Sequence, residues 1–259
     1  MNEAIKNIIN KFIELPMVES IAIGGSTTAL TSDATSDIDV YIFTNSEIPI
    51  KDRENIITPI SSKYEIGGEY FGLGDEFWVD KINKQLDIMY WNISWFENVV
   101  ENIWIKHYPS NGYTTCFLYT LKNFQIIYDK NHWLKNLQEE INTEYPAELQ
   151  QNIIKRNLML MKNKPFASYY EQIKKAIKRN DINSVNHRIS AFCASYFDII
   201  FAINKQFHTG EKRLISYIKD NCKIIPNNFE TNLQKLFNQP NKDTLNILDN
   251  IINELEKIL

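Results

Sequence analysis

The stretch Ser20–Thr44, SIAIGGSTTALTSDATSDIDVYIFT, decides the reading of this chain. Ile21, Ala22 and Ile23 form an apolar run that stops at Gly24-Gly25-Ser26, and Asp37-Ile38-Asp39 opens a second run through Val40, Tyr41, Ile42 and Phe43. The pattern predicts strand, loop, strand. Residues i and i+2 of a strand project from one face, about 6–7 Å apart. Asp37 and Asp39 therefore share a face that Tyr41 and Phe43 continue, while Ile38, Val40 and Ile42 take the other. Such a strand is buried on both sides except at its acidic start.

Two carboxylates this close repel unless a cation neutralises them. Oxygen donors on a rigid element suit Mg²⁺, which keeps several waters and completes its shell with substrate phosphates. Gly24 and Gly25 lack a Cβ, so a phosphate can approach backbone N–H groups at that turn, and Ser26 adds a hydroxyl. Taken singly, Asp-x-Asp at a strand start is usually a solvated edge and Gly-Gly-Ser usually a turn. Their order and spacing carry the signal.

A strand ending in Gly-Ser, a loop and a strand opening on Asp-x-Asp resembles the head motif of the DNA polymerase β-like nucleotidyltransferase superfamily. The resemblance implies a Mg²⁺-dependent enzyme that moves a nucleoside monophosphate from a nucleoside triphosphate to an acceptor. It implies that Gly25 and Ser26 hold the triphosphate and that Asp37 and Asp39 bind metal. The chain looks most like bacterial proteins that join such a head to a C-terminal DUF4037 domain, and like antibiotic adenylyltransferases. Residues Thr27–Leu30 depart from the family pattern, which carries Arg and Gly in that loop.

The second informative stretch is Lys84-Gln85-Leu86-Asp87-Ile88-Met89-Tyr90-Trp91. An unpaired buried carboxylate in such an apolar run costs several kcal/mol or neutralises itself, so Asp87 needs a partner. In the superfamily a third carboxylate arrives on a later strand. Asp87 matches it and is expected to complete the metal site and to receive the acceptor's proton; the plain alternative is a strand-edge aspartate in water.

The chain of 259 residues is long enough for one large domain or two ordinary ones. Its 44% hydrophobic and 23% charged residues are ordinary for a globular protein. No apolar run reaches the ~18 residues of a membrane span, and the amphipathic start MNEAIKNIINKF is unlike a signal peptide. A cytosolic protein with no membrane partner is expected. Cys116, Cys193 and Cys222 are far apart and odd in number, which suits reduced structural thiols. His107 and His132 are isolated and read as surface or hydrogen-bonded residues.

Charge divides the chain. Residues 1–143 hold 11 Lys+Arg against 20 Asp+Glu, and residues 144–259 hold 17 against 12. An acidic head tolerates metal ions and cationic acceptors, and a basic second half can face a triphosphate or an RNA backbone.

In the head, Ile5, Ile8, Ile9, Phe12 and Ile13 have helical spacing up to Pro16. Arg53 to Ser61 reads as a short helix, Lys63 to Tyr70 as an irregular strand or a hairpin corner, and Gly72 and Gly74 as continuing loop. Ile93 to Trp104 and Thr114 to Leu121 read as helical, and Gln125 to Tyr128 as a short strand. From Pro146 onward the pattern is helical throughout. A long helix opens at Asp181 with Ser184, and its buried stripe includes Val185, Ile189, Phe192, Tyr196 and Ile200. Asp198 lies on that helix, and periodicity leaves its direction open. Gly210-Glu211-Lys212-Arg213 resembles a segment of DUF4037-like proteins, which makes Lys212 and Arg213 candidates for nucleotide phosphates; a solvated turn is the alternative.

The expected architecture is an α/β (α+β) mixed-sheet nucleotidyltransferase head, residues 1–143, followed by an all-α helical bundle, residues 144–259, that shapes the acceptor pocket. The expected reaction transfers a nucleoside monophosphate from an NTP, with ATP first, to a hydroxyl of a small molecule such as an aminoglycoside- or lincosamide-like antibiotic. RNA as acceptor and a nucleotide-binding module without catalysis are the rivals. The acidic head argues against the first, and retention of three aspartates against the second.

Overall fold

A computed structural model describes residues 2–24, 37–70, 72–162, 167–238 and 243–259. It divides into two compact units, one of residues 1–101 and 120–143, the other of residues 102–119 and 144–259. Residues 102–119, placed in the head from sequence, therefore pack in the second unit.

The first unit opens with α1 (Glu3–Ile13), capped by the Asn2 side chain, which accepts from the Ala4 N–H at 2.8 Å. Then come β1 (Val18–Gly24), β2 (Ile38–Thr44), α2 (Ile50–Ile57), β3 (Tyr64–Gly68), β4 (Gly74–Val79) and β5 (Lys84–Asn92). The remaining elements up to Thr143 are α3 (Ile93–Val100), α4 (Cys116–Asn123), whose residues 116–119 fall in the second unit, β6 (Gln125–Asp129) and α5 (Trp133–Ile141). Among the described residues the sheet has six strands in the order β3-β4-β5-β2-β1-β6. All neighbours are antiparallel except β2 and β5, which run parallel.

Each face of the sheet has its own cover. Val40, Ile42, Leu86, Ile88, Phe77 and Val79 bury one face with Ile5, Ile8, Ile9 and Phe12 of α1 and Ile56 and Ile57 of α2. The apolar period of two in each strand and the 3.6-residue stripe of α1 meet there. On the other face an aromatic cluster fills the end away from the aspartates. Tyr41 packs on Trp91 and Phe124 with ring centroids at 4.8 and 4.7 Å, and Phe43 on Phe96 and Trp133 at 5.2 Å each. Strand β2 is thus covered on both sides beyond Asp39, as its sequence implies.

Strand β4 replaces what the sequence suggested was continuing loop. Its inward positions are Asp75, Phe77 and Val79, and the charged residue at the first of these hides the apolar alternation. Asp75 is 1% exposed and is satisfied by three donors: Arg53 Nη1 at 2.8 Å, the Gly67 N–H at 2.8 Å and the Tyr90 hydroxyl at 2.6 Å. Arg53 is fully buried, with its guanidinium 5.0 Å from the centre of the Tyr90 ring. Burial and the Asp75 charge push the Tyr90 hydroxyl well up. Gly74 is required at the start of β4, because a Cβ there would lie 2.8 Å from the Ile88 carbonyl oxygen.

In the second unit α6 (Ala147–Met161), α7 (Tyr169–Lys178), α8 (Ile182–Ile203), α9 (Leu214–Asn221), α10 (Phe229–Asn238) and α11 (Thr244–Glu256) follow one another. The stripe read from sequence is the core: Ile189, Phe192, Tyr196 and Ile200 of α8 pack with Ile173, Ile218, Leu233, Leu248 and Ile252. Asp181 caps α8, accepting from the Ser184 N–H at 3.0 Å. No helix among the described residues is long and apolar enough to cross a membrane.

Candidate active site

The β2–β5 ladder sets Asp39 directly beside Asp87 as parallel partners. Paired positions on adjacent strands lie about 4.7–4.9 Å apart and share a face. Antiparallel pairing carries the line onward, Asp87 to Glu76 on β4 and Glu76 to Glu65 on β3, while Gly24 on β1 flanks Asp39. Four carboxylates therefore stand in one row across four strands. Asp37 immediately precedes β2, and its charge reaches Glu76.

The electrostatics follow from this crowding. Partial desolvation, with the charges of Asp87, Glu65 and Asp37, raises the Glu76 carboxyl above its ordinary range. Burial and the Asp39 charge push the Tyr41 hydroxyl up as well. The Gln85 amide, two residues before Asp87 on the same face, donates from Nε2 to Asp87 Oδ1 at 3.0 Å. A cavity of about 200 Å³ opens over the row, lined by Asp39, Asp87, Glu76, Met89, Trp91 and Tyr70 among others. Its lining combines carboxylates with the aromatic side chains of Trp91 and Tyr70.

The donor set bears on Mg²⁺. Among the described residues no group of three or more His, Cys, Asp or Glu is gathered to hold a metal by itself, so Asp37, Asp39 and Asp87 do not form a closed cage. Mg²⁺ does not need one. It is commonly held by one or two carboxylates with waters and substrate phosphates, and the Asp39–Asp87 pair fits that mode.

Gly25, Ser26 and the Thr27–Leu30 loop lie outside the described residues. Lys212 and Arg213 are in the second unit, both exposed at the entry to α9, with Arg213 in the left-handed region at φ 53°. Sequence reasoning passed over Glu65, Glu76 and Gln85. Glu76 and Trp78 alternate with Phe77 and Val79, a strand signal that Asp75 masks.

Asp198 has a different setting. It is 1% exposed and accepts from the Thr114 N–H at 3.0 Å, the Thr114 hydroxyl at 2.6 Å and Asn157 Nδ2 at 3.0 Å. Burial pushes its carboxyl up to about 6 despite those donors. Nearby in sequence, His208 is buried between the rings of Tyr113 and Phe201, its Nδ1 accepts from the Gly210 N–H at 3.1 Å, and burial pulls it down to about 4. His107, isolated in sequence, stands 3.3 Å from Glu148.

Residues 113–213 match the family model described as a domain of unknown function, DUF4037. No curated protein sequence matches the chain. Among solved structures it is similar to a nucleotidyltransferase-like protein from Exiguobacterium sibiricum 255-15, with TM-score 0.48 and 8% identity over 99% of this chain and 73% of that one. It is also similar to the spectinomycin adenyltransferase AAD(9) from Enterococcus faecialis, with TM-score 0.30 and 12% identity over 98% of this chain and 97% of that one. A third is the CdnE c-di-GMP synthase from Capnocytophaga granulosa, with TM-score 0.26 and 16% identity over 98% and 77% of the two chains.

Proposed function

We propose that this protein is a nucleotidyltransferase that moves a nucleoside monophosphate from an NTP, with ATP first, to a hydroxyl of a small-molecule acceptor. The observation that carries the reading is the pairing of Asp39 with Asp87 across parallel β2 and β5, with Asp37 just ahead of Asp39. An Asp-x-Asp strand start beside a third aspartate is the arrangement that the motif resemblance implies.

Asp37, Asp39 and Asp87 are the proposed Mg²⁺ site, with the Asp39–Asp87 pair as ligands and Asp37 adding charge beside them; Mg²⁺ held there would neutralise the charge that develops on the α-phosphate and the leaving pyrophosphate. The acceptor oxygen forms a bond to the α-phosphorus as the bond from that phosphorus to the bridging oxygen of pyrophosphate breaks. Asp87 takes the acceptor's proton. Gly25 and Ser26 are the proposed triphosphate contacts, and Lys212 and Arg213 the proposed cations for its outer phosphates. Arg53, the head's sole arginine, is held by Asp75 on the opposite face and does not serve this purpose.

The cavity supports the acceptor class. Its carboxylates favour a cation, and Trp91 and Tyr70 favour an apolar or ring surface, as an aminoglycoside- or lincosamide-like antibiotic offers. The test is incubation with α-labelled NTPs and Mg²⁺ against panels of aminoglycosides, lincosamides and bulk tRNA. Label on a small molecule supports the reading, and label on tRNA replaces the acceptor. Nucleotide binding without transfer to any of them removes the enzyme reading.

A further inference from the structure

We infer that Arg53 is a positioning residue: from the covered face of the sheet it acts through Asp75 to hold the β3–β4 hairpin, which forms one wall of the cavity. The use of that cavity by an acceptor rests on the nucleotidyltransferase reading above.

Most of the cavity lining comes from this hairpin, including Glu65, Gly68, Tyr70, Gly74, Asp75 and Glu76. Its parts are held differently. Phe77 and Val79 of β4, which do not line the cavity, lie in the apolar core with α1 and α2. At the cavity the two strands pair through Gly68 and Gly74, which bring no side chains to pack. On its outer side β3 is an edge of the sheet among the described residues, and its Tyr64 and Glu65 are exposed. Apolar burial therefore does little to fix the part of the hairpin that shapes the cavity.

Asp75 supplies the hold. Its Oδ1 accepts from Arg53 Nη1 of α2 and from the Gly67 N–H of β3, and its Oδ2 accepts from the Tyr90 hydroxyl of β5. One carboxylate on β4 thus ties a helix and both neighbouring strands together at the margin of the cavity. A carboxylate removed from water stays ionised only beside a charge partner, and Arg53, whose side chain is 0% exposed, is that partner. The pair is poorly made for stabilisation alone. Arg53 Nε and Nη2 meet no hydrogen-bond acceptor among the described residues, and apolar residues of similar volume often replace a buried ion pair without loss of stability. Apolar residues would not supply the directed bonds that join β3, β4 and β5 at one point.

Arg53→Met removes the charge and the donors, Arg53→Lys keeps one charged donor for Asp75, and Tyr90→Phe removes one of the three donors and leaves the ion pair. Two readouts are taken on the full chain. One is hydrogen exchange of the Gly67 amide by nuclear magnetic resonance, with the amides of α1 as reference. The other is the pair of KM values for ATP and for the acceptor, using α-labelled ATP and the member of the aminoglycoside, lincosamide and tRNA panel that takes label. Arg53→Met is expected to exchange the Gly67 amide about tenfold faster with α1 unchanged, and to raise the acceptor KM about tenfold while the ATP KM stays within about twofold. Arg53→Lys should restore both values, and Tyr90→Phe should move both in the same direction by less.

Wild-type exchange and acceptor KM in Arg53→Met overturn the positioning role. So does a uniform acceleration of all amides, or an equal rise in both KM values, since either marks a general loss of stability. If Arg53→Met does not fold, Tyr90→Phe decides on the same readouts, and wild-type values there overturn the inference. Wild-type protein that transfers no label removes the transferase reading, and Gly67 exchange then judges the hold on the hairpin by itself.

Discussion

Asp87 and Asp198 are both aspartates set among apolar neighbours in sequence, one on a strand and one on a helix, and the structure treats them in opposite ways. Around Asp198 the Thr114 N–H, the Thr114 hydroxyl and the Asn157 amide all converge as donors. The same Asn157 also accepts from the Gly112 N–H at 3.0 Å, so one carboxylate and one amide pin the 110–114 turn within the second unit. Asp87 instead stands in a row of carboxylates, with Asp39 on one side and Glu76 on the other, and borders a cavity. A buried acid surrounded by donors stabilises a fold. Acids aligned beside one another raise the energy of each other's ionised form and are useful when a cation arrives.

The sharpest test of this contrast is catalytic. Asp39→Asn is expected to lower nucleotidyl transfer by about 10³-fold, several kcal/mol of transition-state stabilisation, while the urea midpoint stays unchanged or rises. Asp87→Asn should lower the rate by about 10²–10⁴-fold and weaken nucleotide binding less. Near-normal turnover with Mg²⁺ in either variant would break the comparison from the side of the sheet.

The mirror experiment is on the helical unit. Asp198→Ala leaves two N–H donors and a hydroxyl buried without their acceptor, and it should cost about 3 kcal/mol in urea unfolding. An unchanged midpoint would show that Asp198 is not structural.

The pH profile tests the setting of Asp198 further. The folded-state carboxyl of Asp198 is raised from 3.8 to about 6, so its proton is bound more tightly in the folded chain. Its contribution to stability is complete below about 4 and is lost as pH rises through about 6. His208 acts in the opposite direction. Its folded-state value is lowered from 6.5 to about 4, so its contribution is present above 6.5 and lost as pH falls toward 4. Stability of Asp198→Asn relative to wild type, followed by urea unfolding from pH 4 to 7, should therefore rise with pH. A flat difference would contradict the assignment.

The smallest structural effect is expected at Lys212. Lys212→Ala should change stability by no more than about 0.5 kcal/mol, as for an exposed residue, yet raise the apparent KM for NTP. Wild-type KM in both Lys212→Ala and Arg213→Ala would leave the second unit without a role in phosphate binding.

Local pattern in the sequence determined a good deal of this protein. The period of two puts Asp39, Tyr41 and Phe43 on one side of β2 and Val40 and Ile42 on the other, and the period of 3.6 marks the buried stripes of α1 and α8. Both are properties of a few consecutive residues, so they are legible without knowing what lies next to them. The same holds for the Asp181 cap, where donor and acceptor are three residues apart. Tertiary structure alone decided which strand lies beside β2. That choice, made by parallel pairing with β5 and antiparallel pairing of β4 and β3, aligned Asp39 with Asp87 and added Glu76 and Glu65 to the row. It also hid the strand Gly74–Val79 from sequence reading, because the acid that interrupts its alternation is neutralised by Arg53 from 22 residues away. Asp198 was undecided for the same reason: its donors come from Thr114, 84 residues away, and Asn157, 41 residues away. Periodicity reports which face a side chain takes, but the groups that satisfy a buried charge are fixed by contacts between distant segments.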